Sequence, residues 1–363
     1  MSPSSPSLVA AASQAASPPS AAFGGPGGGR RPRSPRTPLR AGVLALALAL
    51  GVTACGTGVE DKAGEKPKTR VFKADNGEIT IPADPKRVVA TGYAVPALIE
   101  ADAALVGIST WKRGLDLMTD EDLARYKKVP KVAGETAAET NYEAIANARP
   151  DLIVIGVPTP VLADIDLERL ESVAPVVTIG PTQPDAWRTL SRRQSDAAGR
   201  LDHFEAAQDA YDKRAGELRK KYAKVLDGKK FGHVGAYSEA GKGSFQREFS
   251  RSWGTNIAED VGVTYYGEVK KKTGGSGDVS ENPSIEELPE SLGDADVITY
   301  TVQPDGEPAA AVQYVLDSPL WKELPAVRDG LTVPLRHTEA ATYPSALRTL
   351  DALDAALQPL LDR

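Results

Sequence analysis

The feature that most constrains this chain runs from Pro184 to Gly228. It opens Pro184-Asp185-Ala186-Trp187 and then continues for about forty residues without another proline. Leu201, Phe204, Ala207, Tyr211, Ala215, Leu218, Tyr222 and Val225 recur at steps of three or four, the spacing of one apolar helical face. Upstream, Trp187, Leu190 and Ala197 keep the same period from a proline-plus-aspartate start. Laid out as helix, the stretch would reach roughly 60 Å, longer than a small domain is wide. Gly199 predicts a kink or break, because glycine costs about 1 kcal/mol inside a helix. Segments of similar size lie on either side, each alternating strand and helix signals. The stretch reads as a spine between two α/β lobes; the alternative is two surface helices of one large domain.

The N-terminus bears on compartment. Residues 1–38 are rich in Ser, Pro, Ala and Gly without an apolar period, so they cannot build a core. Arg30, Arg31, Arg33, Arg36 and Arg40 form a positive block ahead of the apolar run from Ala41 to Leu50, which is followed by Gly51-Val52-Thr53-Ala54-Cys55. That run falls short of the roughly 20 residues a spanning helix needs, so it reads as a signal peptide. Cys55 is the only cysteine, which excludes an internal disulfide. Its position before a Gly/Thr/Glu/Lys-rich tether argues against both a buried and a catalytic thiol. Residues 1–54 hold five arginines and no acid, so without them the formal charge moves from −6 to −11. A chain this acidic is poorly suited to nucleic acid or to broad contact with anionic lipid. The expected organisation is an extension and signal peptide (1–54), a tether (55–70), an N-terminal lobe (71–183), the linker region (184–227) and a C-terminal lobe (228–363).

In the first lobe, Glu78–Pro82 reads as an edge strand and Pro85–Ala90 enters a buried one. Tyr93 follows in the loop before a helix around Val95–Ala101. Ala104–Ile108 is the next strand, ending at Trp111-Lys112-Arg113. A helix over Asn141–Ala148, the strand Leu152–Gly156, and the pair Asp166–Val173 and Val176–Gly180 complete it. The second lobe repeats the pattern: a strand over Lys229–Tyr237, a helix over about Gln246–Asp260, a Gly- and Lys-rich loop from Val263 to Ser280, a helix start at Ser284–Leu288, the strand Asp296–Tyr300 and a last helix over Leu347–Leu361. Alternation of this kind implies mainly parallel sheets covered on both faces. Asn141-Tyr142-Glu143 leading to Asp151, and Ser284-Ile285-Glu286 leading to Asp296, form a loose internal repeat.

The order of these motifs carries a resemblance. Val52-Thr53-Ala54-Cys55 resembles a bacterial lipobox. With Asp84-Pro85-Lys86-Arg87-Val88-Val89, Asn141–Ile145, Arg149–Val154, the long linker and Asp317–Val327, the chain resembles the iron-siderophore substrate-binding lipoproteins of ABC importers, the helix-linked class III binding proteins. The likeness covers residues 71–362 and is greatest to the hydroxamate (ferrioxamine-type) binders of actinomycetes. It implies two Rossmann-like lobes joined by a long linker helix, a ferric siderophore in the cleft, no catalysis and no cofactor. It also implies a monomer, lipid-anchored through Cys55 to the outer face of the cytoplasmic membrane. One exposed glutamate per lobe, Glu143 and Glu286, would pair with arginines of a permease dimer.

The residues bear independently on the ligand. A siderophore already saturates ferric iron with oxygen, so the protein need supply no metal ligand. Three scattered histidines, His203, His233 and His337, cannot build a compact zinc or manganese site, and only His337 is placed to face a cleft. A hydroxamate complex instead needs aromatic faces for its methylene linkers and Arg, Lys or Tyr donors for its oxygens. Ligands of open α/β sheets meet the loops at the carboxyl ends of strands. Tyr93, Trp111, Lys112, Arg113, Phe245, Arg247, Trp253, Tyr265, Tyr266, Tyr300, Arg336, His337 and Tyr343 lie on or near such loops. For each, ordinary packing or a solvated surface charge is the competing reading, most strongly for Trp253, which the helical signal would include. Some hydroxamate binders carry an arginine before the Asn-x-Glu helix, but Gly134–Thr140 has none, so Arg113, Arg247 and Arg336 are the candidates. An exported hydrolase is disfavoured, because neither Gly-x-Ser-x-Gly nor a phosphate loop is present. Gly274-Gly275-Ser276-Gly277 lacks a helix start and reads as flexible. Catecholate siderophores, haem and cobalamin are the other ligand classes this architecture suits; a strongly anionic catecholate complex would favour a denser basic cluster.

The N-terminal reading is testable. Cys55→Ala should leave an uncleaved or shed protein, and unchanged membrane retention with a free N-terminal methionine would contradict it.

Overall fold

The computed structural model describes residues 68–238 and 243–362. The arginine block, the apolar run, Cys55 and nearly all of the tether lie outside them. A ribbon of β1 (Thr69–Ala74) and β2 (Gly77–Pro82) comes first, antiparallel with Phe72 opposite Ile79. Only β2 is apparent from the sequence, because charged residues interrupt β1. The ribbon is tied to the lobe where Asp75 N donates to Thr178 O (2.8 Å) and Asn76 Nδ2 to Val176 O (3.0 Å).

The N-terminal lobe is a sheet of β3 (Val88–Gly92), β4 (Leu105–Ser109), β5 (Lys131–Ala133), β6 (Leu152–Gly156) and β7 (Val176–Thr178), in the order β5-β4-β3-β6-β7 and parallel throughout. Its apolar runs split by twos. Val88, Ala90, Leu152 and Val154 join one core with α1 (Ala94–Glu100). Val89, Ile153 and Ile155 join another with α3 (Tyr142–Ala148) and α4 (Leu167–Glu171). This is why the runs show no polar face. The helix α2 (Asp120–Lys128) before β5 carries too many charges to stand out in the sequence. Asp151 accepts from the amides of Lys86 and Arg87 (2.8 and 2.9 Å), and Asp296 accepts from Lys230 N (2.8 Å). The repeat seen in the sequence is thus a strand-start device used once in each lobe.

The linker is two helices, not one rod. α5 (Trp187–Ala197) ends where Gly199 adopts φ +67, and the amides of Gly199 and Arg200 fold back onto the carbonyls of Asp196 and Ser195 (2.9 and 2.8 Å). α6 (Leu201–Leu226) then runs 26 residues, about 39 Å at helical rise. Gly216 lies within it without breaking it. Leu190 and Ala197 of α5 belong to the N-lobe core, whereas Phe204, Tyr211, Leu218 and Tyr222 of α6 belong to the C-lobe core. Trp187 at the start of α5 already packs into the C-lobe core, so α5 serves both lobes and α6, beyond Gly199, packs on the C lobe.

The C-terminal sheet orders β10-β9-β8-β11-β12, from β8 (Phe231–Gly235), β9 (Gln246–Glu248), β10 (Ser280–Glu281), β11 (Val297–Thr301) and β12 (Thr332–Leu335). β8, β11 and β12 are parallel; β9 and β10 are antiparallel additions. The helix expected over Gln246–Asp260 is corrected here. Gln246–Glu248 pairs with Gly235–His233, and only Asn256–Val261 is helical (α7). Gly254 explains the interruption, since a Cβ there would lie 2.0 Å from the His233 ring. α8 (Leu288–Leu292) follows a turn at Ile285–Glu287 that Ser284 and Glu287 close with a capping box. Three short helices, α9 (Ala310–Asp317), α10 (Pro319–Glu323) and α11 (Pro325–Arg328), precede β12. α12 (Tyr343–Leu357) starts four residues earlier than its apolar period suggested, capped by Thr342. The Gly274–Gly277 stretch, expected to be flexible, enters a 3-10 turn over Gly275–Asp278, with Gly274 N donating to Asp278 Oδ1 (2.7 Å). Among the described residues no helix is long and apolar enough to cross a membrane.

Candidate functional site

The carboxyl ends of the strands of the two lobes face each other, and Arg113 stands between them. On the N-lobe side, Tyr93 follows β3 and Trp111–Gly114 follow β4. Gly92 holds Tyr93 in place with φ +60, where a Cβ would lie 2.6 Å from Gly156 O. On the C-lobe side, Tyr237 follows β8, Trp253 lies in the turn before α7, and Arg336–Glu339 follow β12. Tyr93 meets Trp111 edge-on (5.0 Å, 68°) and stacks with Trp253 (6.1 Å, 9°).

The Arg113 guanidinium lies 4.8 Å over the Trp253 ring and 5.5 Å over that of Tyr237. It donates to the Tyr93 hydroxyl and to the Tyr237 hydroxyl (3.2 Å), and its Nε stands 3.5 Å from Glu339 Oε2. Burial raises the Tyr93 hydroxyl's pKa, keeping it a neutral hydrogen-bonding group. A second bridge between the lobes joins His337 Nδ1 to Asp116 Oδ2 (3.1 Å), with Arg348 Nη1 donating to Asp116 O (3.1 Å). The arrangement offers aromatic faces, phenol hydroxyls and one central cation. These groups can hold and orient a ligand; none is set up as a nucleophile with its base.

Of the residues singled out from sequence, Tyr93, Trp111, Arg113 and Trp253 come together, with His337 and the exposed Arg336 on the same loops. Arg336 makes no hydrogen bond or ion pair to any described residue; its guanidinium rests against Gly306. The others lie elsewhere. Lys112 points outward to Glu135 (3.0 Å). Phe245 is fully buried among Val234, Leu288 and Leu292. Arg247 is 1% exposed, its guanidinium donating to Tyr266 O (3.0 Å) and Glu248 O and lying 4.6 Å over Phe249. Its place near a loop at a strand's carboxyl end predicts a cleft residue, but β9 carries it into the interior. Tyr265 is buried against Thr299 (3.1 Å), and Tyr266 donates to Ser291 O (2.8 Å). Tyr300 packs on Trp321, and Tyr343 lies in an aromatic cluster with Trp187, Phe204 and Tyr211. That cluster borders a recess of about 380 Å³ on the linker side, but its Arg188 and Asp260 are already paired with each other.

Tyr237, Glu339 and Asp116 were missed. Tyr237 follows β8 two residues after Gly235, which is a readable signal. Glu339 and Asp116 have none, since only the approach of the other lobe gives them partners.

Behind Trp253, Glu248 and His233 form a buried pair. Burial pushes the Glu248 carboxyl up to about 7, partly offset by Gly254 N donating to it (2.6 Å). Burial also drives His233 down to about 3, and its ring nitrogens contact Thr299 and Thr301 hydroxyls (2.7 and 3.1 Å). Their 3.8 Å approach is therefore a contact with a neutral imidazole, not an ion pair. Among the described residues no group of three or more His, Cys, Asp or Glu is placed to hold a metal ion.

A family model described as periplasmic binding protein matches residues 88–333. The chain belongs to this family of periplasmic binding proteins. The iron(3+)-hydroxamate-binding protein YxeB of Bacillus subtilis (strain 168) is 28% identical over 297 residues, spanning 80% of this chain and 86% of that one. The probable siderophore-binding lipoprotein YfiY of the same organism is 31% identical over 159 residues, 42% of this chain and 46% of that one. Among solved structures, the siderophore periplasmic binding protein from the fuscachelin gene cluster of Thermobifida fusca is 30% identical with a TM-score of 0.61, covering 77% of this chain and 98% of that one. The two-lobed fold is shared with the Thermobifida fusca siderophore binding protein, and the named relatives are binding proteins by name.

Glu248 makes a stability prediction. Below about pH 4.5 it holds its proton in both the folded and the unfolded chain. From there to about pH 7 the unfolded chain ionises while the folded one does not, so stability falls as pH rises. In urea titrations, the stability of the parent relative to Glu248→Gln should be level below about pH 4.5 and decline up to about pH 7. A difference independent of pH would contradict the buried neutral carboxyl.

Proposed function

We propose that this protein is the ferric-siderophore-binding component of an ABC importer, taking a ferric hydroxamate complex of the ferrioxamine type between its lobes. The observation that carries the reading is the placement of Arg113 between Tyr93, Tyr237 and Trp253 at the lobe boundary. Three hydroxamates leave ferric iron with no net charge but with oxygens that still accept hydrogen bonds. One guanidinium and two phenols serve those oxygens, and the Trp111 and Trp253 faces suit the methylene linkers. A relative named as an iron(3+)-hydroxamate-binding protein supports the same ligand class. The lipobox-like Val52–Cys55, and a relative named as a lipoprotein, support anchoring at the outer face of the cytoplasmic membrane, with the protein acting as a monomer.

Losing a charged hydrogen bond in such a site costs about 1.5–3 kcal/mol, or roughly ten- to a hundred-fold in affinity. Arg113→Ala should weaken ferric trihydroxamate binding by that factor in a tryptophan-quenching titration, whereas Lys112→Ala should not. Parent-like binding by Arg113→Ala, or selective quenching by a catecholate complex or cobalamin instead, would contradict the reading.

Delivery to a permease dimer is assigned to Glu143 and Glu286. Both are exposed, and neither carboxylate bonds to another described residue. Each sits in the first turn of a helical segment leading to β6 or β11, the strands paired with β3 and β8. Their places in the two lobes are equivalent, which suits docking on a two-fold-symmetric partner. The competing role is to interact with the helix dipole, worth about 0.3–1 kcal/mol. The double variant Glu143→Ala/Glu286→Ala should keep ferric-siderophore affinity and lose uptake; parent-like uptake would leave both acids with that competing role only.

A further inference from the structure

Arg113 does not stand alone in the site. Glu339, from the segment after β12, faces its Nε at 3.5 Å, with the two side chains 28% and 30% exposed. Asp116, three residues beyond Arg113, meets His337 from the same C-lobe segment. Arg336 is a second arginine on these loops, and Lys112 turns away to Glu135. The central guanidinium of this half-buried site is thus opposed by a carboxylate from the other lobe. A pocket meant to attract an anionic complex would leave its guanidinium groups unopposed, and here the central one is opposed from the other lobe.

The candidate complexes differ sharply in charge. Ferric iron in three hydroxamates is neutral overall, and a linear trihydroxamate ending in a free amine adds one positive charge. Three catecholates leave three negative charges on the complex. A carboxylate in a partly desolvated wall acts on such differences through a weakened dielectric, where unit charges a few ångströms apart interact far more strongly than in water.

Building on the hydroxamate reading above, we propose that Glu339 makes this site charge-selective: it favours ferric complexes of zero or positive net charge and provides the partner for the free ammonium group of a linear trihydroxamate. Glu339 reaches the site beside Arg113, so a ligand held through its hydroxamate oxygens on Arg113 brings its periphery to this carboxylate. Glu339 touches the ligand's tail, not its iron centre. A pure latch that only closed the lobes on Arg113 would change affinity for all complexes by the same factor. Charge selection changes the ratio between them.

The probes are ferric desferrioxamine B, its N-acetylated neutral derivative and ferric enterobactin, titrated by tryptophan quenching into the parent protein, Glu339→Gln and Glu339→Asp. The parent should prefer the cationic over the acetylated complex by about tenfold. Glu339→Gln should bring that ratio close to one and raise binding of the tricatecholate, and Glu339→Asp should retain most of the preference. Raising salt to about 1 M, where the screening length is only about 3 Å, should shrink the parent's ratio and leave that of Glu339→Gln unchanged. Equal ratios in parent and Glu339→Gln overturn charge selection while leaving the hydroxamate reading intact. A parent that binds the tricatecholate and neither hydroxamate overturns both. Should Glu339→Gln fail to fold, a parent ratio that does not respond to salt overturns the proposal by itself.

Discussion

The contact on which this molecule turns is the Arg113 guanidinium held between two lobes. A cation removed from water must recover its lost hydration, and Arg113 does so from both sides at once. Tyr93 lies in its own lobe; Tyr237, Trp253 and Glu339 come from the other. Cation–π contacts at partly desolvated sites are worth about 0.5–2 kcal/mol each, so the set is enough to bias how the lobes sit without fixing them irreversibly. The Asp116 contacts with His337 and Arg348 add to the same closure. A ligand that takes over Arg113's hydrogen bonds exchanges one set of bridges between the lobes for another.

The scaffold explains why these groups converge. In each lobe a parallel core places the loops after β3 and β4, or after β8 and β12, on one edge, and the aspartates at Asp151 and Asp296 fix where the central strands begin. Gly199 turns the chain from α5, which packs Trp187 on the C-lobe core and Leu190 and Ala197 on the N-lobe core, into α6 on the C lobe. α6 then packs with α12 as part of the C lobe, so the linker is stiff on that side and turns at the glycine.

Much of this was legible in the sequence because the signals are local. Leu152–Gly156 is a strand in the sequence and in the structure, and the helical segments expected from Asn141 and Ser284 begin there, each capped by that residue's side chain. What failed was non-local. Gln246-Arg247-Glu248 shows no strand alternation, reads as the start of a helix, and becomes β9 only by pairing with β8. Arg247 reads as a surface cation, yet main-chain carbonyls and two aromatic rings take it into the interior. In the site, Trp111 and Arg113 were readable because they follow a strand directly. Glu339 was not, because its significance comes from an arginine more than two hundred residues earlier in the chain.

The most direct measurement is the position of iron, by anomalous scattering, in crystals of the protein with a ferric trihydroxamate. The account predicts iron between the lobes, with its coordinating oxygens about 2.7–3.2 Å from the Arg113 guanidinium and the linkers against Trp111 and Trp253. Iron located in the recess bordered by Arg188 and Tyr343, or a complex in which Arg113 keeps all its present partners, would contradict it.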